Sequence, residues 1–331
     1  VNKTYHVVRD SGAEYILQKV NTSTFKDPVS LMKNIELVTR YLKQRVKSER
    51  EALSPVPASD GKLYVEDEKH GFWRAYDFIT GSISLDRATS AGDFYQGALA
   101  FGRFIDILSD FPAGILAETI PGFHDTVSRY RAFKEAVALD ACGRVKKAQR
   151  EINFALSQEP FASVFMDLLE KGSLPLRVTH NDTKLNNVLF DKETRTALCI
   201  VDLDTVMPGL VMNDFGDAIR FGASTAAEDE PDLSKVQLNL ELYAAFAGGF
   251  IEACGKSITR EEIELLPAGA KLMTLECGVR FLTDYLFGDT YFRTSYPEHN
   301  LVRCRTQFKL VSDMDKKMPQ MNRIVAEIAR G

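Results

Sequence analysis

From residue 88 onward this 331-residue chain is patterned for long helices, yet a short β island interrupts it at 176–178, 188–190 and 197–201, with a turn beginning at Asp191. So short a ribbon is marginal by itself and has to be buried by what surrounds it. Residues 176–201 therefore restrict the possible folds more than any other stretch. Helical spacing flanks the island, at 88–108, 127–138, 143–158 and 161–170 before it and at 233–254, 260–286 and 300–329 after it. The first eighty residues have a different texture. Two β-rich runs, 4–9 and 14–20, are separated by Asp10, Ser11, Gly12 and Ala13, which predicts a hairpin. Pro28 introduces a helix over 29–49, where Leu31, Ile35, Val38, Leu42 and Val46 recur at helical spacing. Two short strands, 63–65 and 71–77, follow, and Gly81 marks the change of pattern. The expected architecture is α+β and bilobal. A small β-rich N-lobe covers 1–80 and ends in a hinge, and a larger, mainly helical C-lobe covers 81–331.

The chemistry sits on the β island. Its first strand delivers the chain to His180, and the next strand starts at Val188. Asp182 follows His180 by two residues, and Asn187 follows Asp182 by five, the spacing of a protein-kinase catalytic loop. Phosphoryl transfer needs a carboxylate to orient the attacking hydroxyl, and oxygen ligands for magnesium on the phosphates. Asp182 is the expected base, and Lys184 stands where such loops often carry a lysine. Past the ribbon, apolar Cys199, Ile200 and Val201 bring Asp202 to a strand end. Magnesium takes one or two carboxylates and fills its shell with phosphate and water oxygens, so Asn187 with Asp202 is a sensible pair. Taken singly, the Asn/Asp cluster reads as a turn and Asp202 as a strand-end cap. Their coincidence on one ribbon, behind a β-rich lobe and a hinge, favours catalysis.

With these residues the chain resembles the aminoglycoside-phosphotransferase and choline-kinase group, and within it the bacterial N-acetylhexosamine 1-kinases. The matching stretches are 15–21, 31–36, 180–187, 202–217, 276–284, 288–293 and 300–308. The resemblance implies a protein-kinase-like fold, ATP and Mg2+ as cofactors, and transfer to the anomeric hydroxyl of N-acetylglucosamine or N-acetylgalactosamine. It also implies that Asp214 braces the catalytic loop, with His180 and Asp204 as further supports. Asp182, Arg280 and Tyr291 would contact the sugar; a helix-surface arginine and a core tyrosine are the plain alternatives for the last two. There are departures. No G-x-G-x-x-G occurs, and Val1, Asn2, Lys3 and Thr4 look like the far end of a phosphate-covering loop that precedes residue 1. The lysine that grips the phosphates falls near Gln18 or Lys19, with Glu36 as a candidate partner. Lys19 reads equally as that ligand and as an exposed strand lysine. The adenine is expected against the linker 73–81, through backbone groups near Asp77, Phe78 and Ile79.

Composition excludes other classes. The net charge of -5 comes from interspersed acidic and basic residues, without the basic stripe of a nucleic-acid binder. Five cysteines lie far apart with no CxxC, which suits free thiols in a reducing cytoplasm. No signal peptide and no 18-residue apolar run points to a membrane. Ser173, Pro175 and Arg177 fit a short sulfatase pattern, but without the acidic calcium cluster such enzymes need the match is chance. Two rivals remain. One is a kinase of the same fold acting on an aminoglycoside, choline or a homoserine-like compound; a polycationic acceptor would want an acidic pocket, which Arg280 and Arg303 oppose. The other is a nucleotide-binding pseudokinase, against which the intact Asp182, Asn187 and Asp202 stand.

Overall fold

In a computed structural model, which describes residues 2–331, the N-lobe is built on an antiparallel sheet of order β1-β2-β4-β3: β1 (Lys3–Val8), β2 (Glu14–Lys19), β3 (Val65–Asp67) and β4 (Gly71–Asp77). Strand alternation puts Phe72, Arg74 and Tyr76 inward. Ile16 pairs with Tyr76 and Gln18 with Arg74, whereas Lys19 pairs with Trp73. Helix α1 (Pro28–Lys43) buries Leu31, Ile35 and Val38. Asp27 caps it by accepting from Ser30 N, with Pro28 in the first turn. It stops at Lys43 rather than 49, because Ser48 caps a separate 3-10 turn, Glu49–Glu51.

The linker is 78–81, shorter than the expected 73–81, since Trp73 to Asp77 belong to β4. Immediately beyond it, β5 (Ser82–Ser84), absent from the sequence reading, pairs with β7 (Val188–Asp191), which in turn pairs with β8 (Ala197–Ile200). The hinge is thus stitched to the ribbon that carries the candidate site residues. Arg50 of the N-lobe adds a clamp, donating to Gly81 O at 3.1 Å and to Asp191 Oδ2 at 3.0 Å.

Helices α2 (Ala91–Ile107), α3 (Thr126–Leu139), α4 (Gln149–Ala162) and α5 (Val164–Glu170) precede β6 (Arg177–Thr179). Strand β6 pairs with β9 (Met207–Gly209), which the sequence did not announce. Four helices complete the C-lobe: α6 (Val211–Gly222), α7 (Leu240–Cys254), α8 (Arg260–Leu286) and α9 (His299–Ile328). Helix α7 starts at Leu240 and not at 233, because the Asn239 side chain accepts from Glu241 and Leu242 N. Helix α8 keeps its expected limits, held by a Thr259–Glu262 capping box. Helix α6 is pressed onto α8 so closely that a Cβ on Gly216 would strike Gly269 O, and one on Gly269 would strike Met212 O. That contact sets the depth of Asp214 and Asp217 under the catalytic loop. Among the described residues no helix is long and apolar enough to cross a membrane, and the five cysteines are free.

Candidate active site

The catalytic loop leaves β6 at His180, which is fully buried with its ring edge-on to Phe101 and Phe104. Its Nε2 lies 3.0 Å from Val201 O, and a carbonyl can only accept, so the proton is on Nε2. That leaves Nδ1 to accept from Asp182 N at 3.3 Å. Asn181 takes a left-handed φ of 64°, tolerable for Asn, and its amide donates to Thr205 O. Asp214, in the first turn of α6, accepts from His180 N at 2.8 Å and Asn181 N at 2.7 Å. Burial pushes its carboxyl up to about 6, against the pull of His180 and those two donors. One turn on, Asp217 accepts from Thr183 N and is paired to Arg220. The loop therefore hangs from two buried carboxylates of one helix.

Asp182 is partly exposed at the loop's tip. Lys184 Nζ lies 2.7 Å from its Oδ1, and Asn187 Nδ2 donates to its carbonyl at 2.8 Å and its Oδ2 at 3.1 Å. The Asn187 amide nitrogen is thereby occupied and its oxygen is the atom left for a cation. Asp202 ends the ribbon at φ 58°, and no donor among the described residues meets its carboxylate. Burial, then Asp204, then Asp182 push its carboxyl up. Among the described residues no three of His, Cys, Asp and Glu converge as a metal cage. One amide oxygen and one carboxylate crowded by like charges fit magnesium that completes its shell on phosphates.

The structure brings His180, Asp182, Asn187, Asp202, Asp204 and Asp214 together, but not Lys19. Lys19 lies on the outer face of the sheet, its ammonium 5.7 Å from the Trp73 ring centre. Glu36 pairs with Arg40 on the surface of α1. The inward residue is Gln18, beside Arg74, whose guanidinium meets Asp204. Of the expected adenine contacts, Asp77 N donates to Ser54 O and Phe78 N to Glu14 O, so only Ile79 N is free of a protein acceptor among the described residues. Val1 lies outside the described residues, and Lys3 and Thr4 belong to β1.

Between α3, α8 and the loop that follows α8 lies a pocket of about 180 Å³ lined by Arg129, Arg280, Asp284, Phe287, Tyr291 and Phe292, among others. Arg280 stacks over Phe123, 5.2 Å from its ring centre, and reaches the Tyr291 hydroxyl at 3.5 Å. Tyr291 is 61% exposed, not a core residue. The neighbour of Phe123, His124, spans from the catalytic loop to α8: Nε2 lies 3.5 Å from Asn181 O and Nδ1 2.9 Å from Glu276 Oε1. Burial would raise the Glu276 carboxyl, but His124 and the Thr126 hydroxyl hold it below the usual range. Burial, then Arg280, lowers Arg129. No local pattern marked Arg129, His124 or Glu276; the packing of α3 and the segment before it on α8 brings Arg129 beside Arg280 and His124 beside Glu276. Asp284 is a further one. It accepts from Thr290, Tyr291 and Phe292 N at 2.8–2.9 Å and from Asn300 Nδ2 at 2.8 Å, so it shapes the loop that carries Tyr291. Asp284→Asn turns one acceptor into a donor facing donors. The acceptor KM should rise about tenfold, equivalent to ~1.4 kcal/mol, with the ATP KM within about twofold, and steady-state kinetics with each substrate varied will read both.

Residues 1–248 match the Phosphotransferase enzyme family. An aminoglycoside phosphotransferase from Alicyclobacillus acidocaldarius is similar in structure, with TM-score 0.62 and 10% identity over 99% of this chain and 92% of that one. A microcompartment-associated aminopropanol kinase gives TM-score 0.59 at 16% identity, over 97% and 90%. An amicoumacin kinase in complex with AMP-PNP, Ca2+ and Ami gives 0.58 at 15%, over 93% and 85%. At these identities the likenesses speak for the fold, a bilobal kinase-like one.

Proposed function

Because the chain belongs to the Phosphotransferase enzyme family, we propose that it is an ATP- and magnesium-dependent kinase that phosphorylates the anomeric hydroxyl of an N-acetylhexosamine. A small-molecule phosphotransferase is the reading shared with the structural neighbours, one of which was solved with AMP-PNP and Ca2+. The observation that carries the acceptor class is the pocket between α3 and α8, joined to the Asp182 loop through Phe123 and His124. Two guanidinium groups, Arg129 and Arg280, share it with the rings of Tyr291, Phe287 and Phe292. Flat aromatic faces and oxygen-seeking donors suit a neutral acylated sugar. The ammonium of an amino alcohol would meet two positive groups that already repel each other. The likeness of 276–284, 288–293 and 300–308 to the N-acetylhexosamine 1-kinases agrees.

In this reading Asp182 receives or orients the proton of the attacking hydroxyl, with Lys184 and Asn187 fixing its carboxylate. Asn187 and Asp202 hold magnesium, which when bound offsets charge on the phosphate oxygens. Ile79 N is the donor left for the adenine, Arg280 and Tyr291 meet the sugar, and lobe closure excludes water from the cleft. The free thiols suit a reducing, cytoplasmic setting. The test is ADP release with N-acetylglucosamine, N-acetylgalactosamine, glucose, ethanolamine, choline and an aminoglycoside, with the product identified by phosphorus–proton coupling. An N-acetylhexosamine should give the highest kcat/KM and a 1-phosphate. A 6-phosphate would overturn the anomeric assignment, and turnover confined to the amines would overturn the sugar.

A further inference from the structure

Arg74 lies mid-strand in β4 with 2% of its surface exposed, a depth at which arginine is rare unless paired. Its Nε donates to Gln18 Oε1 at 3.0 Å, and its Nη1 has only the Met32 thioether at 3.9 Å. Its Nη2 lies 2.5 Å from Asp204 Oδ1, close but out of line for a hydrogen bond, so that oxygen has an ion-pair partner only. The other Asp204 oxygen accepts from Asn2 Nδ2 at 2.6 Å, and Asn2 Oδ1 accepts from Asn21 N at 2.9 Å. Asn34 of α1 donates to Val206 O at 3.1 Å. Three N-lobe side chains thus grip the C-lobe turn that begins at Asp202.

The register explains why an arginine does this. Inward parity on β2 belongs to Ile16 and Gln18, and Gln18 faces Arg74 across the strands. The phosphate-gripping lysine of protein kinases comes from a strand of this lobe; here the nearest lysine, Lys19, points away, and the buried cation comes from the adjacent strand. A buried ion pair often contributes no more stability than apolar residues of the same volume, so its place beside the metal turn calls for a role in the site.

We propose that Arg74 is the positioning cation of the nucleotide site. Through Asp204 it fixes the turn that presents Asp202 to magnesium, so that metal and nucleotide bind only when the lobes are in register. This rests on the kinase reading, but on its nucleotide half alone and not on the identity of the acceptor.

The test is calorimetric binding of Mg·AMP-PNP and of AMP to the full chain without acceptor. Partners behind metal ligands typically account for 10–100-fold in metal affinity, so Arg74→Met should weaken Mg·AMP-PNP by about that much and AMP by less than about twofold. Arg74→Met leaves Asp204 buried and unpaired, which can prevent folding. The double variant Arg74→Met/Asp204→Asn removes both charges and should unfold cooperatively near the wild-type temperature, yet show the same selective loss. Arg74→Lys, which keeps the charge, should recover part of it. Wild-type Mg·AMP-PNP affinity in the folded double variant overturns the proposal, as does equal weakening of AMP. A wild-type protein that binds AMP but not Mg·AMP-PNP would remove the kinase reading beneath it, whatever the variants do.

Discussion

Asp182→Asn is expected to lower kcat by about 10²–10⁴-fold, the contribution of general-base assistance, and to leave ATP affinity nearly unchanged. The structure explains why the substitution isolates chemistry from shape. The loop is held through Asp182's backbone: its N–H donates to His180 Nδ1 and its carbonyl accepts from Asn187. Both bonds survive in Asn. What goes is the carboxylate, with its ion pair to Lys184 and its Oδ2 contact to Asn187. A group that meets the hydroxyl mainly in the transition state lowers kcat rather than binding. If Asp182 were only a turn residue, Asn would serve nearly as well. A kcat within tenfold of wild type, in a variant that still binds ATP, would mean that another group is the base.

The candidate loop stood out because phosphoryl transfer demands few residues at fixed separations on one ribbon, and the structure brings His180, Asp182, Asn187 and Asp202 together. The long helices were legible for the ordinary reason that apolar spacing repeats over several turns. What stayed hidden is decided by partners far away in sequence. Strands β5 and β9 are three residues each and become strands only because the edges of β7 and β6 are there to pair with. Helix α6 is buried on its acidic as well as its apolar side from Val211 to Arg220, and only the loop and helices packed on it make an interior place for Asp214 and Asp217. The choice between the two readings of Lys19 is one of parity. A shift of one residue in a strand moves a side chain to the other face, and no local feature says whether Gln18 or Lys19 is inward; pairing with β4 decides. Likewise the sequence cannot reveal that Ser54 and Glu14 already occupy the Asp77 and Phe78 amides, or that α3 and α8 bring His124 and Glu276 beside the loop.

Asp202→Asn should separate stability from function most sharply. At φ 58° a side chain other than Gly, Asn or Asp adds strain, so Asn removes the charge and keeps the turn where Ala would confuse the two. Burial and the neighbouring Asp204 and Asp182 raise the Asp202 carboxyl in the folded chain. Its contribution to stability is therefore present below the unfolded carboxylate range and is lost as pH rises through the higher folded value. At neutral pH the metal-free protein carries a charge it would be more stable without. Asp202→Asn should accordingly leave the metal-free Tm at neutral pH unchanged or raised, and flatten its fall as pH rises above the ordinary carboxylate range. Turnover should move the other way. Metal stabilisation of the transition state is worth several kcal/mol, and at ~1.4 kcal/mol per factor of ten the loss should be about 10³-fold or more. Magnesium with nucleotide should raise the wild-type Tm more as pH rises above the ordinary carboxylate range, because the cation favours the ionised carboxylate that burial disfavours, and the variant should lose that dependence. A charge that is unfavourable in the empty fold and indispensable to turnover is the expected signature of a metal ligand. Near-wild-type turnover in folded Asp202→Asn, or a metal-free variant clearly less stable than wild type, would instead make Asp202 a structural cap.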